Sequence, residues 1–313
     1  MRPFRFLADP SEVVNGKALA ATARRAEAMG YSALMIPDHL VDILAPVPAL
    51  ATIAAVTERI RIGTFVFNND LRHPAVLAHD LASLDVLSDG RLEIGIGAGW
   101  NVPEYEAIGL PFDRTPVRVE RMKEGVAVLK GCFAEGPFSF SGTSYTIGEY
   151  DFLPKPVQKP HPPFLIGGGG RRTLTFAARE ANTIGLAPRI LANGRGDPRS
   201  ITVAATAEKI EWVREAAGDR FDDLEFNIYP SMSEVTVTDH ARDEARKLID
   251  RMRDRTGYEL TEEELLEAPH IFIGTIDFLV DKFVRLRKQL GISSILLGAV
   301  DELAPVVERL AGT

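Results

Sequence analysis

The sequence predicts an α/β protein with a (β/α)8 TIM-barrel fold. Short apolar runs alternate with segments in which apolar residues recur at helical spacing. The apolar runs are continuous, which is typical of parallel strands that helices cover on both faces. Eight such runs are present, the number that closes a barrel of this type. We predict the strands at Arg5–Ala8, Ser32–Ile36, Ile60–Phe67, Leu92–Ile96, Phe164–Ile166, Thr183–Leu186, Leu224–Tyr229 and Ser293–Leu297.

In the first part of the chain, glycine and proline mark the ends of the predicted helices. Gly30 stands where a glycine often ends a helix. A short helix is predicted at Leu50–Val56, directly after Pro48, and a further helix is predicted to begin at Pro74. Proline is favoured in the first turn of a helix. Helical spacing predicts that the buried face of this third helix is formed by Leu77, Leu81, Leu84 and Leu87.

The alternation of strand and helix is interrupted at residues 109–162. This stretch contains a long helical pattern over Val117–Phe133 and an alternating pattern over Phe138–Ile147 that turns at Gly142. The first is typical of a helix and the second of a β-hairpin. We interpret residues 109–162 as an insertion between two barrel strands, so that residues 1–313 form one barrel domain.

After the insertion the alternation resumes and continues to the end of the chain. One of the predicted helical regions, Asp239–Ala268, is polar and is expected to be partly exposed. The helices of this part are predicted at Arg172–Arg179, Ile201–Ala217, Asp239–Ala268, Phe278–Leu290 and Leu303–Leu310.

Composition excludes several classes of protein. The net charge of −8 and the absence of a Lys/Arg cluster argue against nucleic-acid binding. No apolar run approaches the roughly 20 residues of a membrane span, and the first residues lack the apolar core of a signal peptide. The single cysteine, Cys132, cannot form an internal disulfide, and its apolar helical setting favours a packing thiol over a nucleophile. We therefore predict a cytoplasmic protein.

The barrel geometry selects the candidate site residues, because active sites of this fold lie at the carboxyl ends of the strands. His39 is the strongest candidate for proton transfer, since an imidazole titrates near neutral pH and Asp38 is its acidic neighbour in the chain. A packing histidine is the alternative. No His/Asp/Glu grouping has metal-ligand spacing, and no Gly-x-Ser-x-Gly motif occurs.

A run of four glycines, Gly167, Gly168, Gly169 and Gly170, follows the fifth predicted strand and precedes Arg171. Glycine lets the backbone approach a ligand closely, and a helix that begins here would present free N–H groups to an anion. Arg171 and Arg172 add bidentate donors that suit phosphate. We predict a phosphate-binding loop, and a plain tight turn with solvated arginines is the alternative.

A second glycine cluster, Gly95–Gly99, lies at the end of the fourth predicted strand. It lacks the full spacing of a dinucleotide fingerprint, so we reject that interpretation. We expect Gly97, Ala98 and Gly99 to make room for a flat ring system. Trp100 either lines that ring or packs beneath the insertion.

Several segments resemble the luciferase-like monooxygenase superfamily over nearly the whole chain. This resemblance implies a (β/α)8 barrel, a bound flavin or the deazaflavin coenzyme F420, and a homodimer. It also implies that His39 faces the reactive ring, that Val66, Phe67, Asn68 and Asn69 match a place where a non-proline cis peptide often lies against the ring, and that Gly97–Trp100 contact the cofactor. The matching segments are Arg24–Tyr31, Met35–His39, Arg61–Thr64, Arg72–Ala75, Leu84–Trp100, Pro163–Gly170 and Phe272–Thr275.

Within this superfamily, the Pro-Asp-His39 and Ala-Gly-Trp100 sequences are most similar to F420-dependent oxidoreductases. Sugar-phosphate dehydrogenases of that branch carry a glutamate directly after the Gly-x-Gly, where this chain has Trp100, and Glu104 is the nearby substitute. The resemblance implies hydride transfer between F420 and a small organic substrate, with His39 handling the proton. An FMN-dependent monooxygenase is the first alternative, and a non-catalytic flavin-binding protein is the second.

Overall fold

The computed structural model describes residues 1–191 and 196–313 of the chain. Within them, helices and strands alternate along most of the sequence, as the periodicity predicts. The elements up to the middle of the chain are β1 (Arg5–Ala8), α1 (Gly16–Ala28), β2 (Ala33–Ile36), α2 (Pro46–Val56), β3 (Arg61–Thr64), β4 (Phe67–Asn68), α3 (Pro74–Leu87), β5 (Leu92–Gly97), α4 (Val102–Ala107), α5 (Thr115–Phe133), β6 (Phe138–Ser141), β7 (Thr146–Tyr150) and β8 (Phe164–Gly168).

The second half of the described chain begins with the helix that follows the four glycines. Its elements are α6 (Arg171–Glu180), β9 (Thr183–Leu186), α7 (Val203–Ala217), β10 (Glu225–Ile228), β11 (Thr236–Val237), α8 (Ala241–Thr256), α9 (Glu262–Glu267), β12 (Ile273–Gly274), α10 (Ile276–Leu290), β13 (Ile292–Leu296) and α11 (Ala304–Leu310).

The first of two compact units comprises Pro10–Glu27 and Ala33–Ile166. Its strands β2, β3, β5 and the first three residues of β8 pair in parallel, in that order, and β4 continues β3 along the edge of β5. The residues of β2 and β5 are all buried, which explains why their sequences are apolar or small except at Glu93, whose carboxylate forms an ion pair with Arg61. This unit carries the carboxyl ends of β2, β4 and β5.

The second compact unit comprises Met1–Asp9, Ala28–Ser32 and Gly167–Thr313. Here β1, β13, β10 and β9 pair in parallel in that order. A separate short parallel pair, β11 and β12, was not predicted, because each strand has two residues and leaves no periodic signal. This unit carries the carboxyl end of β8 and the start of α6.

The predicted third strand, Ile60–Phe67, is the clearest difference from the sequence prediction. The ladder stops at Thr64 and resumes at Phe67, and the peptide bond between Phe65 and Val66 is cis. The strand therefore divides into β3 and β4. Leu87 also differs, since it is exposed at the end of α3, while Leu77, Leu81 and Leu84 are buried as predicted.

The predicted helical region Asp239–Ala268 is two helices. Gly257 adopts a left-handed conformation with φ +69° and ends α8. Thr261 and Glu264 then form a reciprocal capping box that starts α9. The inner face of α8 is part of a hydrophobic cluster, so the polar composition of this region reflects only its outer face.

The elements between β5 and β8 match the predicted insertion in kind. The long helix α5 and the antiparallel hairpin of β6 and β7 are both present. The short helix α4, which precedes them, was not predicted. Glu124 on α5 accepts backbone N–H groups from Thr143, Ser144 and Tyr145, so the hairpin turn is fixed to the helix.

Candidate active site

His39 and Glu104 form the central pair of the candidate site in the first unit. His39 Nδ1 lies 2.9 Å from Glu104 Oε1 and 3.2 Å from Oε2. The Glu104 side chain is 5% exposed and also accepts the Leu40 backbone N–H, whereas the His39 side chain is 28% exposed. A carboxylate facing Nδ1 keeps a proton on that nitrogen. The outer nitrogen, Nε2, is then left to accept or donate a proton, and it bonds to no residue within 1–191 or 196–313.

Asp38, the acidic neighbour of His39 in the chain, faces other groups. Its buried carboxylate accepts the Asn68 backbone N–H at 3.1 Å and lies 2.5 Å from Arg72 Nη1 in an ion pair. These contacts join the loop after β2 to the end of β4. The acidic partner of His39 is therefore Glu104, and Asp38 holds the surrounding backbone.

Glu104 lies on α4, a short helix that the periodicity of the sequence does not predict. Pro103 in the first turn and a glutamate at the third helical position are the signals that mark its start. The next residue, Tyr105, is fully buried, and its hydroxyl lies 3.0 Å from Asn68 Oδ1 and 3.1 Å from Asp70 Oδ2. Burial, together with the Asp70 carboxylate, raises the pKa of Tyr105 to about 12, so the hydroxyl stays protonated and can donate.

The polar side chains at the end of β4 are bound within the protein. Asn68 Oδ1 accepts the Asp70 N–H at 3.1 Å, and Asn69 Nδ2 donates to the Tyr145 hydroxyl at 3.1 Å. Asn69 also packs against Gly125 of α5, where an added Cβ would lie 3.1 Å from Asn69 Cγ and closer still to its oxygen. Both amides thus order the loop in which Val66 and Phe67 lie.

The glycines that end β5 admit the loop after β3. A Cβ at Gly97 would lie 2.8 Å from Val66 Cγ2, and a Cβ at Gly99 would lie 2.6 Å from Asn68 Oδ1. Gly99 also has φ +74°, which disfavours a side chain. Buried Arg118 donates to the carbonyls of Ala98 and Gly99. The space that these glycines leave is therefore used, at least in part, by the protein's own side chains.

Trp100 lies beside His39 and remains open to solvent. The two rings meet edge to face, with centroids 5.6 Å apart at 77°. Trp100 is 51% exposed, so it is not packed beneath the insertion. Leu40 and Val41, which follow His39 in the chain, are exposed as well. The histidine thus lies among apolar side chains that are available to a ligand.

Of the four glycines in the second unit, Gly167 and Gly168 end β8, two residues beyond the predicted end of the strand, and Gly169 and Gly170 lead into α6. Gly170 is the N-cap of α6 and provides no side-chain cap, and space around its Cα is open. Gly169 has a packing reason to be glycine, because a Cβ there would lie 2.7 Å from Arg189 N. The Arg171 guanidinium is 2.6 Å from Glu215 in an exposed ion pair. The first-turn N–H groups of α6 have no side-chain cap at Gly170, whereas the Arg171 guanidinium is already paired with Glu215.

Lys209 supports this loop and was not singled out from the sequence. Its buried ammonium donates to Ala187 O at 2.7 Å and Ser200 O at 2.8 Å, which fixes the segment that Gly169 packs against. Burial, with a smaller contribution from Arg189, lowers the pKa of Lys209 to about 8. A lysine on a helical pattern normally indicates a solvated face, so only the structure reveals this role.

Three further features of the described part of the chain are its grouping of metal-ligating side chains, its cysteine and the length of its apolar helices. Within it, no three His, Cys, Asp or Glu side chains are grouped to hold a metal ion. Cys132 is buried, and burial raises the pKa of its thiol to about 11, which suits packing rather than nucleophilic attack. None of the described helices is long and apolar enough to cross a membrane.

The fold is shared with enzymes of known structure. The coenzyme F420-dependent tetrahydromethanopterin reductase from Methanopyrus kandleri superposes with a TM-score of 0.76, covering 98% of this chain and 97% of that one at 19% identity. This similarity confirms the predicted fold class, a closed eight-stranded (β/α)8 TIM barrel.

Residues 2–294 match the model of the luciferase-like monooxygenase family, and the chain therefore belongs to that family. Two curated relatives illustrate its range. The FMNH(2)-dependent dimethylsulfone monooxygenase of Pseudomonas putida is 37% identical over 106 residues, which are 34% of this chain and 29% of that protein. The F420-dependent glucose-6-phosphate dehydrogenase of Microbacterium testaceum is 33% identical over 164 residues, 50% of this chain and 48% of that protein. The matches span at most about half of either relative.

Proposed function

We propose that this protein is an oxidoreductase that transfers a hydride between coenzyme F420 and a small organic substrate. The observation that carries the proposal is the His39–Glu104 pair, with Nδ1 at 2.9 Å from the carboxylate and the opposite nitrogen unbonded among the described residues. The similarity to an F420-dependent dehydrogenase over half of the chain supports the cofactor.

The residues present fit a deazaflavin. Trp100, Leu40 and Val41 offer exposed apolar surface to a flat ring beside His39. The first-turn N–H groups of α6, uncapped at Gly170, suit an anionic group. We assign these two features to ring binding and phosphate binding, respectively.

The cofactor, when bound, donates or accepts the hydride. His39 handles the accompanying proton at Nε2, because Glu104 keeps the other nitrogen protonated. When the His39 imidazole takes up a proton at Nε2 in addition to the one at Nδ1, the Glu104 carboxylate stabilises the resulting imidazolium. Asp38, bound to Arg72 and to the Asn68 backbone, positions the loop that carries Val66 and is not assigned to proton transfer.

An FMN-dependent monooxygenase is the second candidate. Its support is the similarity to the dimethylsulfone monooxygenase over a third of the chain, together with Trp100, which stands where sugar-phosphate dehydrogenases have a glutamate. The pairing of Glu104 with His39 favours the first candidate, because it supplies a carboxylate close to Trp100, which occupies the position of the glutamate in the sugar-phosphate dehydrogenases.

Titration of the purified apoprotein with F420, FMN and FAD in parallel tests the cofactor. We expect F420 to bind at least about tenfold more tightly than FMN, a difference of about 1.4 kcal/mol. The reverse order would replace the proposal with the monooxygenase. Tight F420 binding without turnover of any alcohol, aldehyde, ketone or enone in a broad panel would instead favour a non-catalytic flavin-binding protein.

We further propose that the protein acts as a homodimer in the cytoplasm and that residues 1–313 form one domain with the insertion near 109–162. The outer face of α3 supports the dimer. Val76 and Leu87 are 61% and 66% exposed, and they lie eleven positions, or about three turns, apart on one face of the helix. Contiguous exposed apolar surface is typical of subunit contacts, and we propose that these two side chains belong to such a surface.

A further inference from the structure

A cavity of about 260 Å³ lies within the second unit, next to α8. One wall is apolar and consists of Met232, Leu248 and Met252, which belong to or pack against the hydrophobic cluster under this helix. Arg251 and Arg255 line the same cavity. The site described above does not use any of these residues.

The two arginines differ from most other cations of α8. Arg246, Lys247 and Arg253 each form ion pairs with carboxylates at 3.4 Å or less. Arg251 and Arg255 pair with no carboxylate among the described residues. They are separated by one helical turn and therefore repel each other, which disfavours the helix unless an anion lies between them.

The spacing of the lining residues places the two arginines and the apolar side chains of α8 on one face of the helix. Leu248, Arg251, Met252 and Arg255 follow at intervals of three, one and three residues, so they form a single stripe on α8. Ser231 also lines the cavity, and its hydroxyl oxygen is buried with no hydrogen-bond partner. A buried hydroxyl without a partner is costly unless a ligand or water completes it.

We propose that this cavity binds a small organic carboxylate with an apolar body. The carboxylate pairs with Arg251 and Arg255, Ser231 donates a further hydrogen bond, and the apolar body packs against Met232, Leu248 and Met252. An inorganic anion would leave the methionine and leucine wall unmatched, and a neutral apolar molecule would make no use of the two exposed guanidinium groups. The two halves of the cavity together therefore specify an amphipathic anion.

Calorimetric titration of the full chain without added cofactor tests this site. The probes are octanoate, 1-octanol and acetate, which separate the combined ligand from its apolar half and its charged half. We expect octanoate to bind at least about tenfold more tightly than either partial probe. Equal affinities for octanoate and octanol would overturn the proposal, as would the absence of octanoate binding.

Variants locate the binding to the cavity. R251Q and R255Q should each weaken octanoate binding about tenfold or more, because each removes a charge-assisted hydrogen bond. R242Q is the matched control, since Arg242 is an exposed arginine of the same helix that does not line the cavity. An equal loss of octanoate affinity in all three variants would mean that the effect comes from the net charge of the protein, and it would reject the site.

Melting temperatures of the ligand-free variants provide a second readout. Removal of one of two repelling arginines should leave the melting temperature unchanged or raise it slightly, whereas a purely structural role would lower it. Because the titration needs no cofactor, its outcome is independent of the proposed hydride transfer.

Discussion

Glu104 Oε1 lies 2.9 Å from His39 Nδ1, although 65 residues separate the two in the chain. The contact depends on α4, which carries Glu104 to the loop after β2, and on the Leu40 N–H, which holds the carboxylate in place. The consequence is a histidine with one fixed and one available nitrogen.

Substitution of His39 by asparagine should abolish most of the turnover while leaving the cofactor bound. The loss of general acid–base catalysis is expected to lower kcat by at least about 100-fold. E104Q should give a smaller loss of about 10- to 100-fold, because the ring remains but its orienting carboxylate is neutral. Steady-state kinetics, with F420 affinity and melting temperature measured alongside, check both.

H79N serves as the control for these variants, because His79 is exposed on α3 and is not assigned to the site. Full activity in H39N would show that another group handles the proton. If H39N melts at a temperature low enough to account for its lost activity, His39 has a packing role instead.

Substitution of Gly170 tests the anion site at α6 without disturbing the loop. G170D and G170N both fit the extended N-cap conformation and should cap the helix, so we expect unchanged or higher stability. Only the aspartate places a negative charge at the N-terminus. Cofactor affinity, measured by fluorescence titration, should therefore fall clearly more in G170D than in G170N. Equal affinities in the two variants would contradict an anion site there.

The proposed dimer should depend on the outer face of α3. V76E combined with L87E introduces two charges where the wild type exposes aliphatic side chains. We expect the wild type to elute at twice the chain mass and this double variant at the monomer mass in size-exclusion chromatography with light scattering. V14E, at an exposed valine outside α3, should remain dimeric. A monomeric wild type would refute the homodimer itself.

Buried His270 should make the fold sensitive to acid. Burial, with added repulsion from Lys209 and Lys282, lowers its pKa to about 3 from the ordinary 6.5, so the folded protein keeps the ring neutral. Between these values the unfolded chain binds a proton that the folded chain does not, and stability falls as the pH decreases. The cost is at most about 1.4 kcal/mol for each pH unit below 6.5.

Urea unfolding from pH 7.5 to 4.5 checks this expectation. The wild type should lose more stability on acidification than H270Q, even if the variant is less stable at neutral pH. H240Q removes an exposed histidine and should follow the wild-type profile. Parallel profiles for the wild type and H270Q would contradict the assigned role.

The order of strands and long helices was predictable because it rests on local periodicity. β1 and β9 have the predicted bounds and α3 begins at Pro74 as predicted. Gly257 and the capping box at Thr261 show that even the missed division of α8 and α9 had a sequence signal. Short elements such as α4 and β11 carry no measurable period, so β11 was not predictable and α4 was marked only by Pro103 and Glu104 in its first turn.

The site was less predictable than the fold, for a physical reason. Strand-end geometry selects His39, but the partner of its ring comes from a distant short helix, so chain proximity wrongly favours Asp38 as the acidic neighbour. Likewise, a glycine predicts open space beside its Cα. At Gly97 that space is filled by the Val66 side chain, and at Gly169 it is filled by the Pro188–Arg189 backbone. Both cases depend on tertiary contacts that local sequence does not encode.

The contact between Gly125 and Asn69 links the sequence choices at two distant positions. A side chain at position 125 has no room while asparagine occupies position 69, because a Cβ there would lie 3.1 Å from Asn69 Cγ. Across the evolution of this family, the two positions should therefore covary. Members with alanine or a larger residue at position 125 should carry a shorter side chain at position 69, and they should then lack its hydrogen bond to the tyrosine at position 145.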